Sequence, residues 1–134
     1  MTEVKVTHDY KASADTVWQK IRSFTGLADW LPGISCESIE GGKSRKLTMP
    51  GGITIIEALE MHDDANRTYG YKIVQSPQPV KNYHSVISVV PNGSGSTVVW
   101  TSQFEPIGPE AVAKGMMEGI YRTALGALSL AVGG

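Results

Sequence analysis

Apolar and polar residues alternate along most of the chain, and two segments follow a helical period instead. The alternation over residues 4–10 predicts a first strand. Between residues 17 and 24 the apolar positions recur at helical spacing, and Ser13 is a suitable N-cap, which together predict a short helix. A second short helix and a turn are expected after Gly26.

Six further strands are predicted in the middle of the chain, separated by turns rich in glycine, proline and asparagine. They lie near residues 34–40, 44–49, 53–61, 67–75, 82–90 and 97–105. Short connections favour antiparallel pairing. From Gly108 onward, apolar residues three and four positions apart predict one long amphipathic helix that ends at Gly133 and Gly134.

This order of elements predicts a single α+β domain over residues 1–134, with a curved antiparallel sheet of about seven strands. A sheet with one apolar face needs a cover, and only the C-terminal helix is long enough to supply it. A curved sheet wrapped on one helix leaves a space between them. We expect a ligand cavity there, of roughly 300–1,000 Å³.

The composition of the chain excludes several classes of partner and cofactor. The formal net charge is -1, which argues against nucleic acid or an anionic membrane as the main partner. One cysteine excludes an internal disulfide, and the N-terminus shows no signal-peptide core, so we expect a soluble, cytoplasmic protein. The three histidines show no metal-ligand spacing, and we expect no metal and no cofactor. The first strand lies at an edge, which leaves a monomer or a homodimer open.

Three polar residues interrupt apolar strand faces: Arg45, Glu57 and Tyr83. Arg45 shares its face with Leu47 and Met49, and the other two have apolar neighbours in the same way, because strand side chains alternate between faces. A charge against an apolar wall is costly unless it is paired. A buried ion pair and a core tyrosine would explain the three residues as structural. The alternative is the polar centre of an apolar pocket.

Other inward positions are candidate ligand contacts, because the core side of the sheet and of the last helix also forms the cavity wall. These are Leu47, Met49, Ile55, Leu59, Tyr69, Tyr71, Ser85, Trp100, Ser102, Phe104, Met116, Met117, Ile120 and Tyr121.

Several short sequence motifs occur along the chain in an order that is found in a known superfamily. They are Val17-Trp18, Phe24, Trp30-Leu31-Pro32, Glu40-Gly41, Ser44-Arg45, Glu57-Ala58-Leu59, Tyr69-Gly70-Tyr71, Asn82 to Val86, Ser96 to Trp100, and Phe104. In this order the chain resembles the START-like (SRPBCC, Bet v 1-like) superfamily and its polyketide cyclase/dehydrase-like branch. The resemblance implies a helix-grip fold. The superfamily includes lipid carriers, hormone receptors, cyclases, dehydratases and lyases.

Two groups within the superfamily match the three polar positions. The lachrymatory-factor synthases are similar through the same strands, and their proposed working arginine, glutamate and tyrosine match Arg45, Glu57 and Tyr83. The abscisic acid receptors match at Glu57, Tyr83 and Ser85. Their gate and latch loops correspond to residues 49–52 and 77–80, and Ile34 stands where they place a lysine for the hormone's carboxylate.

Two functions of different classes follow. The first is a protein that binds a small, mostly hydrophobic molecule, with Arg45, Glu57 and Tyr83 as the polar centre. The second is a cofactor-free cyclase, dehydratase or lyase, in which Glu57 accepts a proton, Arg45 anchors an anion and Tyr83 donates a proton. A third possibility is a protein-interaction module whose cavity is filled by its own side chains.

Overall fold

Seven strands and two α-helices account for most of the chain in the computed structural model, which describes residues 1–134. The elements are β1 (Thr2–Tyr10), α1 (Ala14–Ile21), β2 (Ser35–Ile39), β3 (Ser44–Thr48), β4 (Thr54–Asp63), β5 (Thr68–Gln75), β6 (Val80–Asn92), β7 (Gly95–Pro106) and α2 (Glu110–Val132). Short 3-10 helices occupy Leu27–Asp29 and Glu40–Gly42, and the second of these was expected only as a turn.

All seven strands form one antiparallel sheet in the order β1-β7-β6-β5-β4-β3-β2. Strands β2 to β7 follow one another as a meander, and β1 returns to pair with β7. The sheet therefore has two edges, β1 and β2. With α2 packed on the sheet, the predicted α+β helix-grip fold is confirmed.

The two helices begin and end where their caps require. In α1, the Ser13 hydroxyl accepts a hydrogen bond from the Thr16 amide at 3.2 Å. The longer helix, α2, follows Pro109 and ends at Gly133, which adopts the left-handed conformation (φ 81°).

The C-terminal helix is fixed along β1. The Tyr10 hydroxyl donates to the Leu125 carbonyl at 2.7 Å, and the Thr2 hydroxyl donates to Glu110 Oε2 at 2.7 Å. Buried residues of α2, among them Met117 and Tyr121, face the sheet. The helix therefore covers the concave face and forms one wall of the space beneath it.

Bulges bend the sheet near two of the predicted polar residues. The register of β4 against β5 shifts between Ile56 and Glu57, and it shifts again between Leu59 and Met61. The register of β6 against β7 shifts between Lys81 and His84, where Asn82 has a positive φ of 51°. Bulges increase local twist and redirect side chains. Glu57 thus lies beside one bulge.

The β6–β7 turn passes close to the end of β1. A Cβ atom added to Gly95 would lie 2.3 Å from the Tyr10 carbonyl oxygen, so only glycine fits this approach. Neither helix is long and apolar enough to cross a lipid bilayer.

Candidate functional site

A small cavity of about 50 Å³ lies between the concave face of the sheet and α2. Seventeen residues line this inner cavity, and 14 of them are hydrophobic. They are Leu27, Leu31, Ile34, Arg45, Leu47, Met49, Ile55, Glu57, Tyr71, Ile73, Gln78, Tyr83, Trp100, Met117, Ile120, Tyr121 and Ala124. The structure therefore brings all three polar residues to one apolar space.

Arg45 and Glu57 form a buried ion pair across β3 and β4, where their Cα positions are directly paired. Arg45 Nε lies 2.8 Å and Nη2 lies 2.6 Å from the same carboxylate oxygen, Glu57 Oε1. The side chains are 2% and 8% exposed. The other oxygen, Oε2, accepts no hydrogen bond from the protein, and Glu57 lines the cavity.

Other groups of the protein satisfy much of the hydrogen-bonding capacity of the Arg45 guanidinium. Nη1 donates to the Phe24 carbonyl at 2.7 Å, and the group lies 4.1 Å from the centre of the Phe24 ring and 5.0 Å from that of Tyr71. Burial by itself lowers the pKa of Arg45, but the charge of Glu57 raises it, and the net pKa is above the ordinary value. Arg45 is therefore charged, and its charge is balanced by Glu57.

Aromatic hydroxyls form the second polar part of the cavity. The Tyr83 and Tyr121 hydroxyls are hydrogen-bonded to each other, from β6 to α2. Burial, followed by the charge of Glu57, raises the pKa of Tyr83. Burial raises the pKa of Tyr71 well above its ordinary value, and the neighbouring Tyr83 and Glu57 add to the shift. Tyr71 and Tyr83 are therefore protonated at neutral pH and can donate hydrogen bonds.

Trp100 connects the tyrosines to the sheet. Its indole Nε1 donates to the Tyr71 hydroxyl at 3.1 Å and to Ser85 Oγ at 3.0 Å, and Ser85 Oγ in turn donates to the Thr101 carbonyl at 2.8 Å. The Trp100 ring stacks on Tyr121, with 4.4 Å between ring centres. These contacts hold the aromatic wall in one arrangement.

A second, outer pocket of about 480 Å³ lies against the inner cavity, between α2 and the loops around Pro32 and Pro50. Five residues line both spaces and form a partition between them: Leu31, Ile34, Met49, Ile120 and Ala124. All except Ala124 are only partly buried. The partition is thus made mainly of apolar side chains at the protein surface.

The inner cavity is much smaller than the ligand-sized space expected from the fold. A volume of about 50 Å³ corresponds to roughly one or two water molecules. Four large aromatic side chains line this small space: Tyr71, Tyr83, Trp100 and Tyr121. A ligand larger than this requires the partition to move.

The predicted ligand contacts fall into three groups. Leu47, Met49, Ile55, Tyr71, Trp100, Met117, Ile120 and Tyr121 line the inner cavity, as do Arg45, Glu57 and Tyr83. Met116 is 42% exposed and lines the outer pocket. Leu59, Tyr69, Ser85, Ser102 and Phe104 line neither space.

Residues in the third group have other contacts. Tyr69 packs edge-on against Phe24, and Phe104 stacks on Tyr83 with 6.0 Å between ring centres. Ser85 Oγ accepts a hydrogen bond from the Trp100 indole, whereas the buried Ser102 hydroxyl makes no hydrogen bond.

Six lining residues were not among the predicted contacts. Leu27, Leu31 and Ile34 come from the segment between α1 and β2, Ile73 from β5, Gln78 from the following loop, and Ala124 from α2. The spacing of the α2 residues gave a signal for Ala124, because Tyr121 and Ala124 are three positions apart on one helix face. The loop residues carry no periodic signal. No group of three or more histidine, cysteine, aspartate or glutamate side chains comes together as a metal site.

The whole chain matches one protein family. Residues 1–133 fit the family described as polyketide cyclase / dehydrase and lipid transport. The chain belongs to this family. Within the polyketide cyclase/dehydrase and lipid transport family, the chain is similar to the protein XoxI from Bacillus cereus, with 40% sequence identity, a TM-score of 0.94, and coverage of 98% of this chain and 96% of that chain.

Two plant proteins are also similar to this chain, one in part of its sequence and one in its fold. The abscisic acid receptor PYL2 from Arabidopsis thaliana is 33% identical over 92 residues, which is 63% of this chain and 48% of the receptor. The match thus spans about half of the receptor's length. Norcoclaurine synthase from Thalictrum flavum, solved with dopamine and hydroxybenzaldehyde, has the same fold, with a TM-score of 0.77, 21% identity, and coverage of 98% of this chain and 86% of that chain.

Proposed function

We propose that this family member binds a small, mostly hydrophobic molecule between the sheet and α2, with Glu57 and Tyr83 as polar contacts and Arg45 holding Glu57 in place. The observation that carries the proposal is the Glu57 carboxylate, which lines a mostly apolar cavity and uses only one of its two oxygens for Arg45. An unpaired carboxylate oxygen in such a wall is costly, and a ligand donor relieves that cost.

Opening of the partition supplies the necessary volume. Met49 is unbranched and flexible, and the other large partition side chains, Leu31, Ile34 and Ile120, reach the surface. Rotation of these side chains joins the inner cavity to the outer pocket of about 480 Å³, which is within the usual range for ligand sites. The chain's similarity to an abscisic acid receptor is consistent with small-molecule binding.

The test is retention of a ligand by a variant series. Purified protein is incubated with a mixed library of aromatic, polyketide-like and lipid metabolites, separated from it, and analysed by mass spectrometry. The wild type should retain a compound of unchanged mass. Ala124→Leu adds bulk to both spaces and should abolish retention, whereas Gly126→Ala, on the exposed side of the same helix, should not. Retention that is equal in all three proteins would place binding elsewhere and contradict the proposal.

The same unpaired oxygen favours one second candidate, a cofactor-free cyclase, dehydratase or lyase. Glu57 Oε2 would accept a proton, and a Tyr83 or Tyr121 hydroxyl would donate one. An anion-anchoring role for Arg45 would require it to leave Glu57 and the Phe24 carbonyl. A compound of new mass that disappears with Glu57→Gln would identify the enzyme, whereas unchanged library masses support the binding function alone.

A further inference from the structure

The charge and hydrogen-bonding capacity of the inner cavity specify the polar group of its ligand. We infer that the site takes a neutral hydroxyl, an alcohol or a phenol on an apolar body, in preference to a carboxylate or an ammonium group. This inference rests on the proposed binding function and adds the ligand's chemical class. It follows from the Arg45–Glu57 pair and from the Tyr83–Tyr121 pair.

The first argument concerns charge. Arg45 already balances Glu57, and both are almost completely buried. A ligand carboxylate would bring a second negative charge beside Glu57, and an ammonium group would leave one positive charge without a partner. Either net charge would lie within a mostly apolar wall, where an unpaired charge is strongly disfavoured.

The second argument concerns the donor that Glu57 lacks. Oε1 accepts both Arg45 contacts, and Oε2 has no partner. A ligand O–H that donates to Oε2 would satisfy it. A carboxylate has no proton to donate, so it would leave Oε2 unpaired and repel it.

The third argument concerns the proton that the Tyr83–Tyr121 hydrogen bond leaves over. Tyr83 and Tyr121 share one hydrogen bond, so one of their two hydroxyl protons is not used in that bond. Both side chains are buried, and the hydroxyls of Tyr71, Ser85 and Ser102 lie near that of Tyr83, so this end of the cavity is polar. A ligand hydroxyl can accept this proton and donate its own to Glu57, whereas an ammonium group has no acceptor. Of the three polar groups compared, only the hydroxyl can both donate to Glu57 and accept from a tyrosine.

A series of compounds with one naphthalene body tests the assignment: 2-naphthylmethanol, 2-methylnaphthalene, 2-naphthoate and 2-naphthylmethylamine. Binding is followed in an NMR titration through the Trp100 indole N–H signal, since this group bonds Tyr71 and Ser85 beside the cavity. The Trp18 indole bonds Asp64 away from the cavity and serves as the internal reference. The alcohol should bind about tenfold more tightly than the hydrocarbon, and the two charged compounds should bind more weakly than the alcohol.

Two outcomes separate this inference from the proposed function. If the hydrocarbon or the carboxylate shifts the Trp100 signal at the same or lower concentration than the alcohol, the cavity binds ligands and the hydroxyl assignment is wrong. If no compound in the series shifts the Trp100 signal, the binding function fails as well.

Variants of the Arg45–Glu57 pair provide a second test of the preference for a hydroxyl. Glu57→Gln leaves the positive charge of Arg45 unbalanced, so the preference should reverse and 2-naphthoate should bind more tightly than the alcohol. Arg45→Met with Glu57→Leu removes both charges and the Glu57 acceptor, so the alcohol's advantage over the hydrocarbon should become smaller, and the part that remains comes from the tyrosine hydroxyls. The matched control is Glu60→Gln, on the same strand but paired with His84 outside the cavity, which should keep the alcohol preference. An alcohol preference of unchanged size in whichever pair variant folds would overturn the assignment.

Discussion

Replacing one member of the Arg45–Glu57 pair should lower the free energy of unfolding far more than replacing both members together. Each single variant, Arg45→Met or Glu57→Leu, leaves one charge buried without its partner. Loss of one member of a buried pair costs roughly 3–5 kcal/mol, because the remaining charge keeps its desolvation penalty. Arg45→Met also leaves the Phe24 carbonyl, which Nη1 contacts at 2.7 Å, without that donor.

The double variant should be much less destabilised than the sum of the single variants. With both charges gone, apolar side chains of similar volume fill the site, and such replacements are often neutral. The remaining cost is the unpaired Phe24 carbonyl, about 1–3 kcal/mol. The coupling free energy of the pair should therefore exceed about 3 kcal/mol, a large part of a typical total stability of 5–15 kcal/mol.

Urea unfolding of the wild type, both single variants and the double variant, followed by tryptophan fluorescence, completes the double-mutant cycle. The exposed pair formed by Glu60 and His84 provides a matched control, because a surface pair should show a coupling of only about 0–1 kcal/mol. Additive effects at Arg45 and Glu57, within about 0.5 kcal/mol, would mean that the two charges are screened independently and would refute the reasoning.

Three further predictions concern the rest of the fold. Gly95→Ala should lower the urea midpoint, because its Cβ would lie 2.3 Å from a carbonyl oxygen of β1, whereas Gly126→Ala, in open space on α2, should raise stability by up to about 1 kcal/mol; equal midpoints would contradict the steric argument. Tyr10→Phe should lower the free energy of unfolding by about 1–2 kcal/mol, because it removes the only side-chain hydrogen bond to the Leu125 carbonyl. An unchanged melting temperature would contradict this prediction. Hydrogen bonds from Arg22 and then from the Trp18 indole lower the pKa of Asp64 from 3.8 to about 2, so the stability that they provide is present above the higher value and is lost as the pH falls toward the lower one. Thermal melts should therefore show a smaller loss on acidification in Asp64→Asn than in the wild type, and parallel losses would contradict the assignment.

Strand periodicity was sufficient to predict the sheet and the placement of the three polar residues. Arg45 and Glu57 both point inward because each lies two positions from a buried apolar residue, and their strands pair directly. The pairing itself required a register that the short β3–β4 turn enforces. The long helix was equally clear, since α2 has apolar residues at every third or fourth position.

The size of the cavity could not be predicted in this way. It depends on how far the rings of Trp100 and Tyr121 extend toward each other, and they stack at 4.4 Å. Alternation gives the face on which a side chain lies, but not how much of the space it fills. The bulge between Leu59 and Met61 also interrupts the alternation, so that His62 rather than Met61 pairs across from the buried Tyr69. Sequence spacing alone gives no warning of such an inserted residue.

The order of elements along the chain has a consequence for biosynthesis. Because α2 follows every strand, the apolar face of the sheet has no cover until residues 110–132 have left the ribosome. β1 must also wait for β7, since Thr2 pairs with Phe104, and closing so long a loop is slow. A nascent chain that stops before residue 110 therefore exposes the apolar face of the sheet, which chaperones or other chains can bind. The pocket wall is the last part to assemble, and a ligand can associate only after translation has passed that point.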